Sequence, residues 1–158
     1  MEQNQKQERA KYVFGLIRQM LDAHDWRYQP DEENLKIKTG ARGDDLPMEM
    51  VLYVDAKLDR VQLISPLLFD VQEDKRLDMA IAICNCNNGM VQGCFDYDIS
   101  DGSIFFRMSN SYADSTIDPE LFYHMLMISC ITVDQYNDQL MMLGKGIISI
   151  EQFLKNQE

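Results

Sequence analysis

The chain predicts an α+β domain, an antiparallel sheet of about six strands with helices packed on one face, in the order α-ββββ-α-ββ-α-α. Three observations predict it. Apolar residues recur at helical spacing near both ends of the chain, the period changes to two after Trp26, and a second pair of alternating segments flanks Asp101-Gly102. The connections between strands are too short for crossover helices, so neighbouring strands should run antiparallel.

The first eight residues are polar after Met1 and predict a frayed start. Tyr12, Val13, Leu16, Ile17, Met20 and Leu21 then form one apolar stripe on a helix that should end near His24, where an imidazolium interacts favourably with the negative helix end. Trp26-Arg27-Tyr28 reads as a short strand closed by Gln29-Pro30-Asp31. Leu35 to Thr39 alternates apolar and basic residues, and Met48, Met50, Leu52 and Val54 alternate with polar neighbours. Val61 to Ser65 makes a fourth strand, ended by Pro66, which cannot donate to a ladder. Between the second and third strands, Gly40 to Asp45 is glycine-containing and charged, the expected mobile loop of this half of the sheet.

The stretch from Glu73 to Ser109 organises the rest. Its helix carries Leu77, Ala80, Ile81, Cys84, Asn85 and Asn88 as its amphipathic face and runs into Gly89. Asn88 and Gly89 should terminate it, with Asn85 bonding the adjacent backbone to fix the turn into a hairpin. A two-residue turn at Asp101-Gly102 would pair Ile99 with Ile104, Tyr97 with Phe106, Asp96 with Arg107 and Phe95 with Met108. One face of that hairpin is wholly apolar, and Phe105 is the odd aromatic on the polar face. Asp118-Pro119-Glu120 starts a long helix of about 25 residues, roughly 37 Å, that ends at Gly144. Its middle, Met125 to Val133, is apolar on nearly all sides and must be covered by other helices or by a second subunit. Residues 144–158 form a short helical tail, and 1–158 reads as a single domain.

Lys plus Arg at 15 against Asp plus Glu at 26 gives a net charge of −11, which repels phosphate backbones and disfavours nucleic acid as a partner. No apolar run approaches the ~20 residues of a membrane span, and the polar start lacks a signal-peptide core, so a cytoplasmic protein with four free cysteines is expected. No catalytic residue, cofactor site or metal site is expected. Cys84-x-Cys86 with Cys94 lacks a suitably spaced fourth zinc ligand. His24 and His124 are each explained as helix residues rather than partners of a cysteine. Asp96-x-Asp98 with Asp101-Gly102 misses calcium-loop spacing by one position and has no closing glutamate, and Gly144-Lys145-Gly146 reads as a helix stop.

The order of elements, the small acidic character, the Asn85-x-x-Asn88 helix end and the Phe95-Asp96-Tyr97-Asp98 strand with its Asp-Gly hairpin together resemble the YbjN family. Members are described as bacterial sensory transduction regulators and share the fold of type III secretion chaperones. The resemblance covers most of the chain, from the first helix to the long one. It implies a type III secretion chaperone-like fold and a dimerising, protein-binding role, with no catalytic residue to carry over. It is silent on the Gly40–Asp45 loop and the cysteine cluster.

The leading expectation is therefore a non-catalytic interaction module, a homodimer or a binder of another protein, with Phe105, Tyr123, Met127 and Ile131 as the candidate partner or dimer surface. The alternative is a small-molecule binder or thiol-dependent enzyme using Cys84, Cys86 and Cys94 or the Asn85–Asn88 turn.

Overall fold

Ala10, Val13, Ile17, Met20 and Leu21 are buried at intervals that return to one side of a helix, and they dock α1 (Glu2–Ala23) on the core. The structure is a computed structural model and describes residues 2–157; Met1 of the expected frayed start and Glu158 of the expected tail lie outside the described residues. The helix α1 starts within the stretch expected to fray. Its polar residues have protein partners: Lys6 Nζ lies 3.0 Å from Asp59 and donates to the Lys57 carbonyl at 3.4 Å, and Arg9 donates to the carbonyls of Tyr112 and Ser115.

Four strands follow, β1 (Tyr28–Asp31), β2 (Lys36–Arg42), β3 (Pro47–Asp55) and β4 (Arg60–Pro66), then α2 (Arg76–Asn87), β5 (Cys94–Tyr97), β6 (Ile104–Ser111), α3 (Glu120–Gly144) and α4 (Ile150–Asn156). The strands form one antiparallel sheet in the order β1-β2-β3-β4-β6-β5. Period-two patterning sends Ile37, Met50, Leu52, Val54, Val61, Leu63 and Phe106 into the core beneath the helices. Their alternates Val51, Tyr53, Gln62, Ile64 and Phe105 lie on the other face, which no helix covers among the described residues, and stay half-exposed.

The first strand starts at Tyr28 rather than Trp26 and contains Pro30, which an edge strand accommodates. Trp26 precedes it and donates its indole N–H to Thr39 Oγ1 at 2.6 Å. The expected mobile loop is shorter than its composition suggests, because Gly40 to Arg42 extend β2. What remains is tied down. The Asp44 amide donates to Asp134 Oδ1 at 2.9 Å, and a Cβ on Gly43 would fall 1.9 Å from that oxygen, so a side chain there would have to displace the Asp134 carboxylate.

The hairpin register differs from expectation by two residues. Phe95 pairs with Phe106 and Tyr97 with Ile104, and Ile99 lies in the connection, half-exposed and away from Ile104. The cause is local side-chain bonding. Asp98 accepts from the Ser100 amide at 2.9 Å and its hydroxyl at 2.6 Å, which winds a longer loop that Gly102 closes at φ +83°. A shift of two preserves which face each residue takes, so the apolar face survives. Asp96 and Arg107 become diagonal neighbours and still form a two-point ion pair at 2.5 and 3.1 Å.

Asp118 accepts from the Glu120 amide at 3.0 Å and starts α3 as expected. Its far end is organised differently: Gly144 is the last helical residue and packs close to Met79 and Val71, while Gly146 takes the positive φ that stops the chain. Most of the apolar middle of α3 is covered by the same chain, with α1, α2 and strands β3, β4 and β6 against it, and Ile131 is left exposed. Ser149 and Gln152 form a reciprocal capping box that starts α4.

Candidate protein-interaction surface

The helix α2 has two apolar sides. Met79, Ala82, Ile83 and Cys86 are buried against the core, whereas Leu77, Ile81 and Cys84 lie outside, Leu77 72% and Ile81 52% exposed. The stripe expected to anchor the helix is thus the one that faces away from the core. A two-residue offset rotates a helix position by about 200°, so the two stripes are nearly opposite. Leu154 of α4 stands beside Ala80, Ile81 and Cys84 and extends the outward surface, and Asn85 and Asn88 continue it toward the helix end. This is a contiguous apolar strip with no charged side chain on its line.

At the helix end, Asn87 rather than Asn85 makes the contact to the hairpin. Its Oδ1 accepts from the Phe95 amide at 2.8 Å and its Nδ2 donates to the Phe95 carbonyl at 2.9 Å. One side chain thereby occupies the outward backbone groups of the edge strand β5 as a neighbouring strand would. Asn88 is extended beyond the last helical turn of α2, and Gly89 follows at φ +87°. Asp101 accepts from the Ser103 amide at 2.8 Å within the hairpin loop. Asparagine clustering signalled a structured helix end; only the geometry identifies which amide does it.

The four residues expected to share a partner surface separate. Tyr123, Met127 and Ile131 follow one line along α3, with Ile131 62% exposed, but Phe105 lies on the helix-free side of the sheet opposite Pro66 and Asp96. Tyr123 is engaged within the chain: its ring stacks on His24 at 3.7 Å between centroids, and His24 Nε2 lies 3.1 Å from Glu120 Oε1. His24 therefore joins the end of α1 to the first turn of α3, a longer reach than the helix-end interaction its position suggested.

The cysteines do not converge. Burial pushes the Cys86 thiol up to about 12 and the Cys130 thiol up to about 11, and burial together with the Asp96 carboxylate raises Cys94. Such thiols are neutral at physiological pH and poor nucleophiles. Among the described residues, no group of three His, Cys, Asp or Glu side chains is placed to hold a metal ion, and no helix is long and apolar enough to cross a membrane.

No protein-family model and no curated protein matches the sequence. The fold does match solved structures. YbjN from E. coli superposes with a TM-score of 0.56 at 10% identity, over 84% of this chain and 91% of that one. The ExsC–ExsE complex gives 0.52 at 15% identity over 82% and 93%, and the HopA1–SchA chaperone–effector complex gives 0.56 at 11% over 83% and 97%. The chain has a YbjN-like, type III secretion chaperone-like fold.

Proposed function

We propose that this chain is a non-catalytic protein-interaction module, a chaperone-like or regulatory protein of the YbjN kind that pairs with a second copy of itself and holds a segment of another protein. The observation that carries the reading is the outward apolar strip of α2, Leu77, Ala80, Ile81 and Cys84, on a helix whose other side already fills the core. A two-fold axis crossing the strip near Ile81 opposes it to itself, and each leucine or isoleucine so buried contributes about 1.5–3 kcal/mol. One of the similar structures is a chaperone–effector complex and another is the ExsC–ExsE complex, which supports the partner-holding half of the reading. The four free thiols support a reducing, cytoplasmic setting.

The pairing is tested by a short bismaleimide applied to the Cys94→Ser chain, in which Cys84 is the exposed thiol. A covalent dimer joined through Cys84 is expected, and Leu77→Asp with Ile81→Asp should abolish it while the circular dichroism stays unchanged. Complete reaction of Cys84 with a monofunctional maleimide but no covalent dimer would contradict self-pairing through α2.

A further inference from the structure

Asn137 is the least explained side chain in the molecule. It is 3% exposed on α3, and among the described residues neither its Oδ1 nor its Nδ2 has a hydrogen-bond partner. Burying an amide with both ends unsatisfied is costly, so its retention asks for a bonding partner. It borders a cavity of about 60 Å³ whose wall includes Leu46, Pro47, Pro66 and Phe69. The two prolines have no backbone N–H to offer it. Leu67, Leu68 and Phe69 line this cavity and also line a separate open groove of about 420 Å³, which Asp70 and Asp101 border.

We propose that this surface seats an extended segment of a partner protein, with the Asn137 amide bonded to the backbone N–H and C=O of one residue of the segment, an apolar side chain over Leu68, and a lysine or arginine toward Asp70 and Asp101. The inference rests on the interaction role proposed above and names the subsite and the chemistry of its occupant. An asparagine amide presents an acceptor and a donor side by side, the complement of the N–H and C=O of one residue in an extended segment, as Asn87 shows on Phe95. The inner cavity is far below the 300–1,000 Å³ or so of sites for drug-sized molecules, which suits a short stretch of backbone rather than a ring system. Leu68 is 51% exposed beside it and supplies apolar contact. Beside the groove Arg76 donates to the backbone carbonyls of Ser100 and Asp101 and makes no direct bond to the two carboxylates, although its charge acts on Asp101, whose carboxylate also accepts from the Ser103 amide. With a net charge of −11 behind them, those carboxylates select a basic side chain and disfavour a segment of a second acidic copy.

The probe is the capped tripeptide N-acetyl-Leu-Lys-Leu N-methylamide, titrated to millimolar concentration into the ¹⁵N-labelled full chain. Saturable shifts are expected in the Asn137 side-chain amide pair and in the backbone amides of residues 67–70. Asn137→Leu should weaken binding about tenfold, a difference well within NMR titration, while leaving the thermal midpoint unchanged or higher, because it removes an unpaired polar group. Replacing the peptide's lysine by glutamate should weaken binding by about the same factor. The proposal is overturned if the Asn137 amide resonances do not move, or if the glutamate peptide binds equally well. It is also overturned if Asn137→Leu lowers the thermal midpoint without changing peptide affinity, which would mark the amide as satisfied by enclosed water. The Cys84 cross-link reports on α2, so failure here and failure of self-pairing are read separately.

Discussion

Asn87 shows how one amide can substitute for a strand. By bonding both the N–H and the C=O of Phe95 it closes the edge of β5 beside a core phenylalanine. Asn87→Ala leaves both groups without their partner and is expected to cost about 1–3 kcal/mol in urea unfolding, with faster aggregation as the bared edge finds other chains. The buried acids of the core give a second expectation. Burial moves Cys86 from 9.0 to about 12, Cys130 from 9.0 to about 11 and Tyr112 from 10.0 to about 12, so each stays protonated in the fold while the unfolded chain ionises. Their contribution to stability is complete below pH 9 and is lost as pH rises from 9 toward about 12. Thermal midpoints measured across that window should fall, and less steeply when Cys86 and Cys130 are both alanine. In the native chain at neutral pH these two thiols should resist alkylation while Cys84 reacts; rapid modification of either buried thiol would revive the thiol-chemistry alternative.

The strands were legible because period-two alternation has a single solution once one face is buried: Met48, Met50, Leu52 and Val54 cannot be turned outward without exposing all four together. The helix α2 had no such constraint. Leu77-Ala80-Ile81-Cys84 and Met79-Ala82-Ile83-Cys86 have the same spacing on opposite sides, and only the docking of α3, α4 and β5 selects the second set for the core. The hairpin was half legible. Alternation fixed its faces, but the competition between an Asp-Gly turn and the Asp98 side chain was decided by hydrogen bonds that sequence spacing does not rank. Asn137 carries no sequence signal, since its importance lies in lacking partners. At the loop between β2 and β3, Gly43→Ala should drive a methyl group into Asp134 and cost about 1–3 kcal/mol. Amide exchange across residues 43–46 should rise in that variant, and unchanged exchange would show that the loop can re-seat.

For the molecule as a whole, shape and charge oppose each other. An uncovered apolar strip on α2 favours pairing, whereas a net charge of −11 on each copy opposes it. Pairing should therefore strengthen as salt rises from about 0.05 to 0.5 M, the reverse of an interface held by ion pairs. Analytical ultracentrifugation reads the balance directly. Sedimentation equilibrium at moderate salt should give twice the 18.4 kDa of one chain, falling to 18.4 kDa in the Leu77→Asp, Ile81→Asp variant. A wild-type mass that stays at 18.4 kDa at every concentration and salt level would contradict the account.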